Sequence, residues 1–242
     1  MKPPISVIMP CFNHEPFVHD AVSSVLSQTL SDFEIIAIDD CSDDATAERL
    51  EEFDDPRLTL IRHEENRGLA KTINEGIRRS HGNYISILNS DHLYHPERLK
   101  YCLEMCETHD LYLIGTDVDV VSDDTEEPNT EKTAWLEGHH RVRNEYLASQ
   151  DLTSTMMEGN LFITTSNLFC RRSLFDAIGP LADHRHVDQH VPEFFLGLFR
   201  GFTTKGIGRF ERLFDEVWGH AGGSLLAVPR ATVGCPKPCD CR

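Results

Sequence analysis

The first hundred residues switch repeatedly between two hydrophobic periods. Ile5-Ser6-Val7-Ile8-Met9 is a short apolar run closed by Pro10, and it predicts a buried strand. A helix is expected next, with Asn13 as its cap and Pro16 in its first turn. Phe17, Ala21, Val22, Val25 and Leu26 recur at helical spacing as its inner stripe. Residues 34–38 predict a second strand. Ser42 then caps a charged helix, with Asp43 and Asp44 in the first turn, where the helix dipole favours acids. Residues 58–61 form a third strand, and the helix after Gly68 carries Leu69, Ile73 and Ile77 on one face. Residues 84–88 form a fourth strand, and Pro96 opens the following helix. Strand and helix alternating in this way build βαβ units and hence a parallel sheet.

The second half is less regular. Residues 111–115 and 118–121 predict strands around a turn, and the acidic stretch 123–131 with Pro128 an exposed loop. A helix is expected over 133–148, another strand over 161–170, and a short helix ending near Gly179-Pro180. Beyond residue 200 the pattern fades. The expected fold class is α/β, a single domain with a mainly parallel sheet flanked by helices and an irregular second half. Its parts divide as residues 1–105, 106–215 and a tail of 216–242.

Composition narrows the picture. A chain of 242 residues with 40% hydrophobic positions supports one sizeable core, or one core with two lobes, but not two ordinary domains. No run approaches the roughly 20 apolar residues that cross a bilayer, and the N-terminal run turns polar too early for a secretory signal. The chain therefore reads as cytoplasmic, with peripheral contact at the inner membrane face left open. A net charge of −17 lacks the basic face that nucleic acid requires. An acidic site can hold a phosphorylated ligand only with a cation between the charges. Of the eight cysteines, Cys11, Cys41, Cys102, Cys106 and Cys170 are dispersed as reduced thiols usually are. Cys235, Cys239 and Cys241 cluster in the tail. They lack a nearby fourth zinc ligand, and the prolines among them read as a loose end.

In open α/β sheets ligands bind beyond the carboxyl ends of the strands. Here those ends read Pro10-Cys11-Phe12-Asn13, Asp39-Asp40-Cys41-Ser42, His63 to Gly68, and Asn89-Ser90-Asp91-His92. Either Asp39 or Asp40 alone could simply cap a helix. As an adjacent pair they repel and need donors, which a pyrimidine imide N–H and a ribose hydroxyl would supply. Asp91 either converges on the same crevice or merely ends its strand. If it converges, oxygen ligands of this kind suit Mg²⁺ or Mn²⁺, with a diphosphate completing the coordination. His92 reads as an exposed loop histidine, with a further ligand of such an ion as the alternative, and the pair His139-His140 reads as surface. The chain lacks GxxxxGK[ST], a GxGxxG after the first strand, GxSxG and HExxH.

In order and spacing, these residues resemble the opening of family 2 glycosyltransferases, which have the GT-A fold. The blocks are the first strand with Pro10 to Asn13, Ser24 to Gln28, and Asp39 to Thr46. They continue with Asn66-Arg67-Gly68-Leu69-Ala70-Lys71 through Asn74, Gly82 to Leu99 with Asn89-Ser90-Asp91, and Cys170 to Gly179. The likeness is dense over residues 4–105, weaker to about 180, and absent beyond 200. It implies a metal-dependent, inverting transfer of sugar from a nucleotide diphosphate, a UDP-sugar, to a hydroxyl of a carbohydrate or lipid-linked acceptor. Residue by residue, it puts Pro10 and Asp40 on the base with Asp39 close by, and Lys71 near the nucleotide. Ser90 and Asp91 meet ribose and Mn²⁺ or Mg²⁺, with Asp91 as the metal ligand. Asn89 stands where many members carry a further acid.

The departure comes at His186-Val187-Asp188-Gln189-His190-Val191-Pro192-Glu193, where one alignment makes Asp188 the catalytic base and another leaves Glu193. Pro192 also disturbs the helix expected there. A catalytically impaired nucleotide-sugar-binding module is therefore the second reading. A nucleotidyltransferase is the third, but it wants a glycine-rich basic loop after the first strand, where this chain has Cys11-Phe12-Asn13-His14-Glu15.

Overall fold

A computed structural model describes residues 3–118, 130–149, 164–181 and 225–229. The expected alternation is present as β1 (Ile5–Cys11), α1 (Glu15–Leu26), β2 (Phe33–Asp39), α2 (Thr46–Glu51), β3 (Leu58–Arg62), α3 (Leu69–Arg79), β4 (Tyr84–Ile87) and α4 (Arg98–Thr108). It continues with β5 (Leu111–Thr116), α5 (Thr130–Ser149), a 3-10 turn (Thr165–Asn167), β6 (Leu168–Arg171), α6 (Ser173–Ile178) and β7 (Leu225–Pro229). The seven strands lie in the order β3-β2-β1-β4-β6-β5-β7. β3, β2, β1 and β4 are mutually parallel. β6 runs against both β4 and β5, and β7 against β5. β5 thus points the same way as β4, and the carboxyl ends of β1 to β5 share one rim.

Strand alternation sends side chains to two cores. Ile5, Val7, Met9 and Cys11 of β1 join Val18, Val22, Leu50, Leu99 and Cys102, so α1, α2 and α4 cover that face. Ile8 points the other way, with Ile73, Ile77, Val142, Tyr146 and Leu174, beneath α3, α5 and α6. Gly76 lets α3 approach closely: a Cβ there would stand 2.4 Å from Ile8 Cγ2.

Several local expectations are corrected. Asn13 does not cap α1; it has φ +53° and its Oδ1 accepts from the Asp43 amide at 3.0 Å. Ser42 does not cap α2, which starts at Thr46; its hydroxyl accepts from the Asn13 amide at 2.9 Å. Both side chains serve a neighbouring loop instead of their own helix. Phe17 is 53% exposed, because Val18, Ala21, Val22 and Val25 already fill the inner face of α1. Residues 165–167 form a 3-10 turn and not strand. β7 had no periodic signal. Residues 119–121 and 161–163, Asp188, Glu193 and the three tail cysteines lie outside the described residues.

Candidate active site

The strand order places β2 on one side of β1 and β4 on the other, so the crevice above β1 is where chain direction switches. Pro10 sits at this point. Even-numbered residues of β1 present their backbone groups towards β4: the Leu88 amide donates to the Ile8 carbonyl at 3.0 Å, and the ladder with β4 ends at Ile8. Pro10, with no N–H, therefore costs no sheet hydrogen bond. Its position marks where β1 and β4 separate.

Three loops meet on this rim. The β1–α1 and β2–α2 loops are joined by the Asn13–Ser42 and Asp43–Asn13 bonds above, by the His14 amide to Thr46 Oγ1 at 2.8 Å, and by the Glu15 amide to Asp44 Oδ2 at 3.0 Å. Asp44 thus satisfies an orphan N–H of α1 from another helix's loop. The β4 loop joins through His14 Nδ1, 2.7 Å from Ser90 Oγ. Cys11 lies between Asp39 and Ser90, and burial pushes its thiol up to about 12.

Asp39 and Asp40 have different surroundings, although they are adjacent in sequence. Asp40 Oδ1 accepts from His63 Nδ1 at 2.6 Å and the Arg67 amide at 2.9 Å, and Oδ2 accepts from the Gly68 amide at 2.8 Å. Gly68 at φ +87° allows two successive amides to face one carboxylate. Burial opposes ionisation of Asp40, but these donors outweigh it and hold the carboxyl below its ordinary range. The donors expected from a ligand are thus supplied to Asp40 by the chain itself. Asp39 is 1% exposed; its Oδ2 takes a long 3.4 Å contact from the Ser42 amide, and its Oδ1 has no partner among the described residues. A buried carboxylate oxygen without a donor is an exception to the rule that buried polar atoms are paired.

Beyond β4, residues 89–92 form a turn closed by the His92 amide to the Asn89 carbonyl at 3.0 Å. The Asn89 side chain is committed to the 3-10 turn: Oδ1 accepts from Thr165 Oγ1 at 2.8 Å, and Nδ2 reaches Thr164 Oγ1 at 3.3 Å. Ser90 is fully buried. The Asp91 side chain is 39% exposed and faces outward beside His92, with 3.8 Å between its Oδ1 and His92 Nε2. Lys71 is exposed in the first turn of α3 on the same rim. Among the described residues, no group of three or more His, Cys, Asp or Glu side chains converges to hold a metal. One outward carboxylate nonetheless fits Mg²⁺ or Mn²⁺, ions usually held by one or two carboxylates with substrate phosphates completing the shell.

A second polar group at the rim was not legible in the sequence. Asp117, just past β5, pairs with Arg143 and lies 3.5 Å from His139 Nε2. Burial works against its charge, but the His139 bond, the Val118 amide and Arg143 outweigh it and hold its carboxyl low. His139, expected at the surface, is buried at 7% exposure, because α5 turns this face onto the sheet. Val142 and Tyr146, three and seven residues further on, are buried with it, so helical spacing was the signal that could have found it.

Comparison with known proteins identifies the family and the fold. The family model described as glycosyl transferase family 2 matches residues 6–179. The putative teichuronic acid biosynthesis glycosyltransferase TuaG of Bacillus subtilis is 37% identical over 105 residues, which is 43% of this chain and 42% of that protein. The UDP-Glc:alpha-D-GlcNAc-diphosphoundecaprenol beta-1,3-glucosyltransferase WfgD of Escherichia coli is 28% identical over 121 residues, 50% of this chain and 48% of that one. The chain thus spans less than half the length of these relatives. In fold, it is similar to S. aureus TarS 1-349 in complex with UDP-GlcNAc (TM-score 0.60, 19% identity, 83% of this chain and 54% of that one). It is also similar to the mannosyltransferase PcManGT of Pyrobaculum calidifontis in complex with GDP-Man and Mn²⁺ (TM-score 0.54, 17% identity, 84% of this chain and 52% of that one). Among the described residues no helix is long and apolar enough to cross a membrane. With the strand-end blocks in the family's order and the family model covering most of the chain, the protein belongs to glycosyl transferase family 2.

Proposed function

We propose that this chain binds a nucleotide-diphosphate sugar, a UDP-sugar, and transfers the sugar with inversion to a hydroxyl of a carbohydrate or lipid-linked acceptor in polysaccharide assembly. The observation that carries the reading is the unpartnered, buried Asp39 Oδ1 at the carboxyl end of β2, beside Cys11 at the end of β1, with outward-facing Asp91 on the loop after β4 at the same rim. Asp39 accepts the imide N–H of the base beside Pro10. Asp40 does not meet the ligand; it holds the Arg67-Gly68 turn that starts α3 and thereby sets Lys71 near the nucleotide. Ser90 Oγ, held by His14, faces the ribose.

Asp91 is the residue that would hold Mn²⁺ or Mg²⁺ against the diphosphate. Such an ion, when bound, neutralises the charge that builds on the departing nucleoside diphosphate. Asp188 or Glu193 takes the proton from the attacking hydroxyl. The TarS complex with UDP-GlcNAc and the PcManGT complex with GDP-Man and Mn²⁺ support a donor and an ion of these kinds. The names of TuaG and WfgD support an acceptor in cell-surface polysaccharide synthesis.

One observation favours a second reading, nucleotide-sugar binding without turnover. Asn89 replaces an acid, and its amide is tied to Thr164 and Thr165. The two readings separate in one experiment. Thermal unfolding is followed with UDP, UDP-GlcNAc and GDP-mannose, with and without Mn²⁺, and transfer is measured with the nucleotide that stabilises. A ligand at 100 times its Kd adds roughly 2.7 kcal/mol. Stabilisation without turnover on any acceptor selects the binding module, and no stabilisation by any of the three nucleotides rejects both.

A further inference from the structure

The turn after β4 presents a second donor to whatever Asp91 holds. The usual second acid is not available: Asn89 stands in its place, and both ends of that amide are used by Thr164 and Thr165. His92 is oriented from behind. Its Nδ1 lies 2.8 Å from Ser166 Oγ, and the same hydroxyl accepts from the Asn89 amide at 2.9 Å. With Nδ1 directed at the 3-10 turn, the opposite nitrogen, Nε2, is directed towards Asp91 Oδ1, 3.8 Å away. Both side chains remain open to an incoming ligand, His92 at 37% and Asp91 at 39% exposure.

This is the arrangement of a metal-ligating imidazole, whose far nitrogen is fixed by a second group that sets tautomer and ring orientation. Two ligands on one ion with bonds of about 2.1 Å stand roughly 3 to 4 Å apart, depending on the angle between them. The observed separation lies in that range. We infer that His92 is a second protein ligand of the divalent cation, binding through Nε2 beside Asp91, so that the site prefers Mn²⁺ and similar transition ions to Mg²⁺. The proposal rests on the metal-bridged donor reading above and deepens it. Ser166 Oγ accepts from Nδ1–H in the loaded state, leaving the Nε2 lone pair for the ion. An imidazole nitrogen raises affinity for borderline transition ions, whereas Mg²⁺ favours oxygen.

The test uses the full chain, UDP and Mn²⁺, and reads the ion directly. Electron spin-echo envelope modulation of bound Mn²⁺ detects a coordinated nitrogen, and labelling histidine with ¹⁵N assigns it to imidazole. The expected result is histidine-nitrogen coupling in the wild type that disappears in His92→Gln while Mn²⁺, raised to saturation, stays bound. Calorimetry of the same samples should show His92→Gln weakening Mn²⁺ about tenfold. In His92→Asp, Mg²⁺ should gain on Mn²⁺. Mn²⁺ bound with UDP but without nitrogen coupling overturns the proposal and leaves the Asp91 reading standing. Coupling that persists in His92→Gln also overturns it, since another histidine then holds the ion. If the wild type binds no Mn²⁺ in the presence of UDP, or Asp91→Ala binds it equally well, the metal reading itself fails and the proposal fails with it.

Discussion

His63 Nδ1 stands 2.6 Å from Asp40 Oδ1, while His63 Nε2 faces Glu75 Oε2 at 3.3 Å, so one buried imidazole joins the end of β2 to the middle of α3. Arg67 at 3.1 Å, Arg79 at 2.8 Å and the more exposed Arg78 at 3.9 Å also face Glu75. This network fixes where the β3–α3 turn lies and therefore where α3 meets the rim. Removing one partner of a buried charge network leaves the others uncompensated and typically costs about 3–5 kcal/mol. His63→Ala should lower the unfolding free energy from urea curves by an amount in that range, and the comparison of interest is with the exposed control Lys100→Ala on α4, which should change it little.

The same network makes stability pH-dependent on the acid side. Asp40 and Glu75 both lie below their ordinary values of 3.8 and 4.5; burial opposes this, but their hydrogen bonds prevail. For a group whose folded pKa is depressed, the stabilisation is fully present above the unfolded value and is lost as pH falls through the folded one. Tm should therefore hold near neutrality and fall steeply below about pH 4. In Asp40→Asn the acid limb should be shallower from a lower plateau. A limb unchanged by that substitution would assign the acid sensitivity elsewhere.

Asp39 and Asp40 should separate by function. Asp39→Asn alters a buried carboxylate with one oxygen lacking a donor among the described residues, and Asp40→Asn one that already accepts from three donors. A hydrogen bond to a charged group contributes about 1.5–3 kcal/mol, so Asp39→Asn should weaken UDP at least tenfold with a small change in Tm. Asp40→Asn should mainly lower Tm. Isothermal titration and thermal unfolding of both variants measure the contrast; equal loss of affinity in the two would contradict the assignment.

Gly76 and Ile8 set the distance between α3 and the sheet. A methyl at Gly76 would meet Ile8 Cγ2 at 2.4 Å, which something must relieve. Overpacking of this kind costs typically 1–3 kcal/mol. Gly76→Ala should lower the denaturant midpoint accordingly without changing the m-value.

Arg98 is buried and spans three elements. Its Nη2 donates to the Ser166 carbonyl at 2.7 Å and the Leu168 carbonyl at 3.3 Å, its Nη1 donates to Thr116 Oγ1 at 2.9 Å, and its guanidinium lies 4.4 Å above the Tyr94 ring. A lysine cannot reproduce this planar fork. Arg98→Lys should cost about 2–4 kcal/mol, close to Arg98→Ala, because both leave buried carbonyls without a donor. Guanidinium unfolding curves of the two variants decide it.

The order of elements was legible because burial is periodic. Ile5 to Met9, residues 34–38 and residues 84–88 are short apolar runs between polar turns, and each is a strand. The rim was legible for a related reason: a parallel strand must end in a loop at the ligand-binding edge, so Asp39, Asp40, Ser90 and Asp91 were placed by counting to the end of each run. Capping was read wrongly at Asn13 and Ser42 because each side chain bonds across to the other's loop, thirty or so residues away. His139 reads as surface because a histidine pair is polar, although Val142 and Tyr146 at helical spacing mark the face of α5 that turns inward.

What the sequence by itself determined was the succession of strands and helices, the family to which their motif blocks belong, and the set of polar residues delivered to one edge of the sheet. These follow from short-range patterns of burial and turn chemistry. Tertiary structure alone decided that Asp40 takes three donors from the chain while Asp39 Oδ1 has none among the described residues, that Asn89 is committed to Thr164 and Thr165, and that His92 turns towards Asp91. Those outcomes depend on donors brought in from far along the chain, such as the Gly68 amide on Asp40 and Ser166 on His92. A hydrogen bond is directional and acts over about 3 Å, so only the folded arrangement can choose its partners.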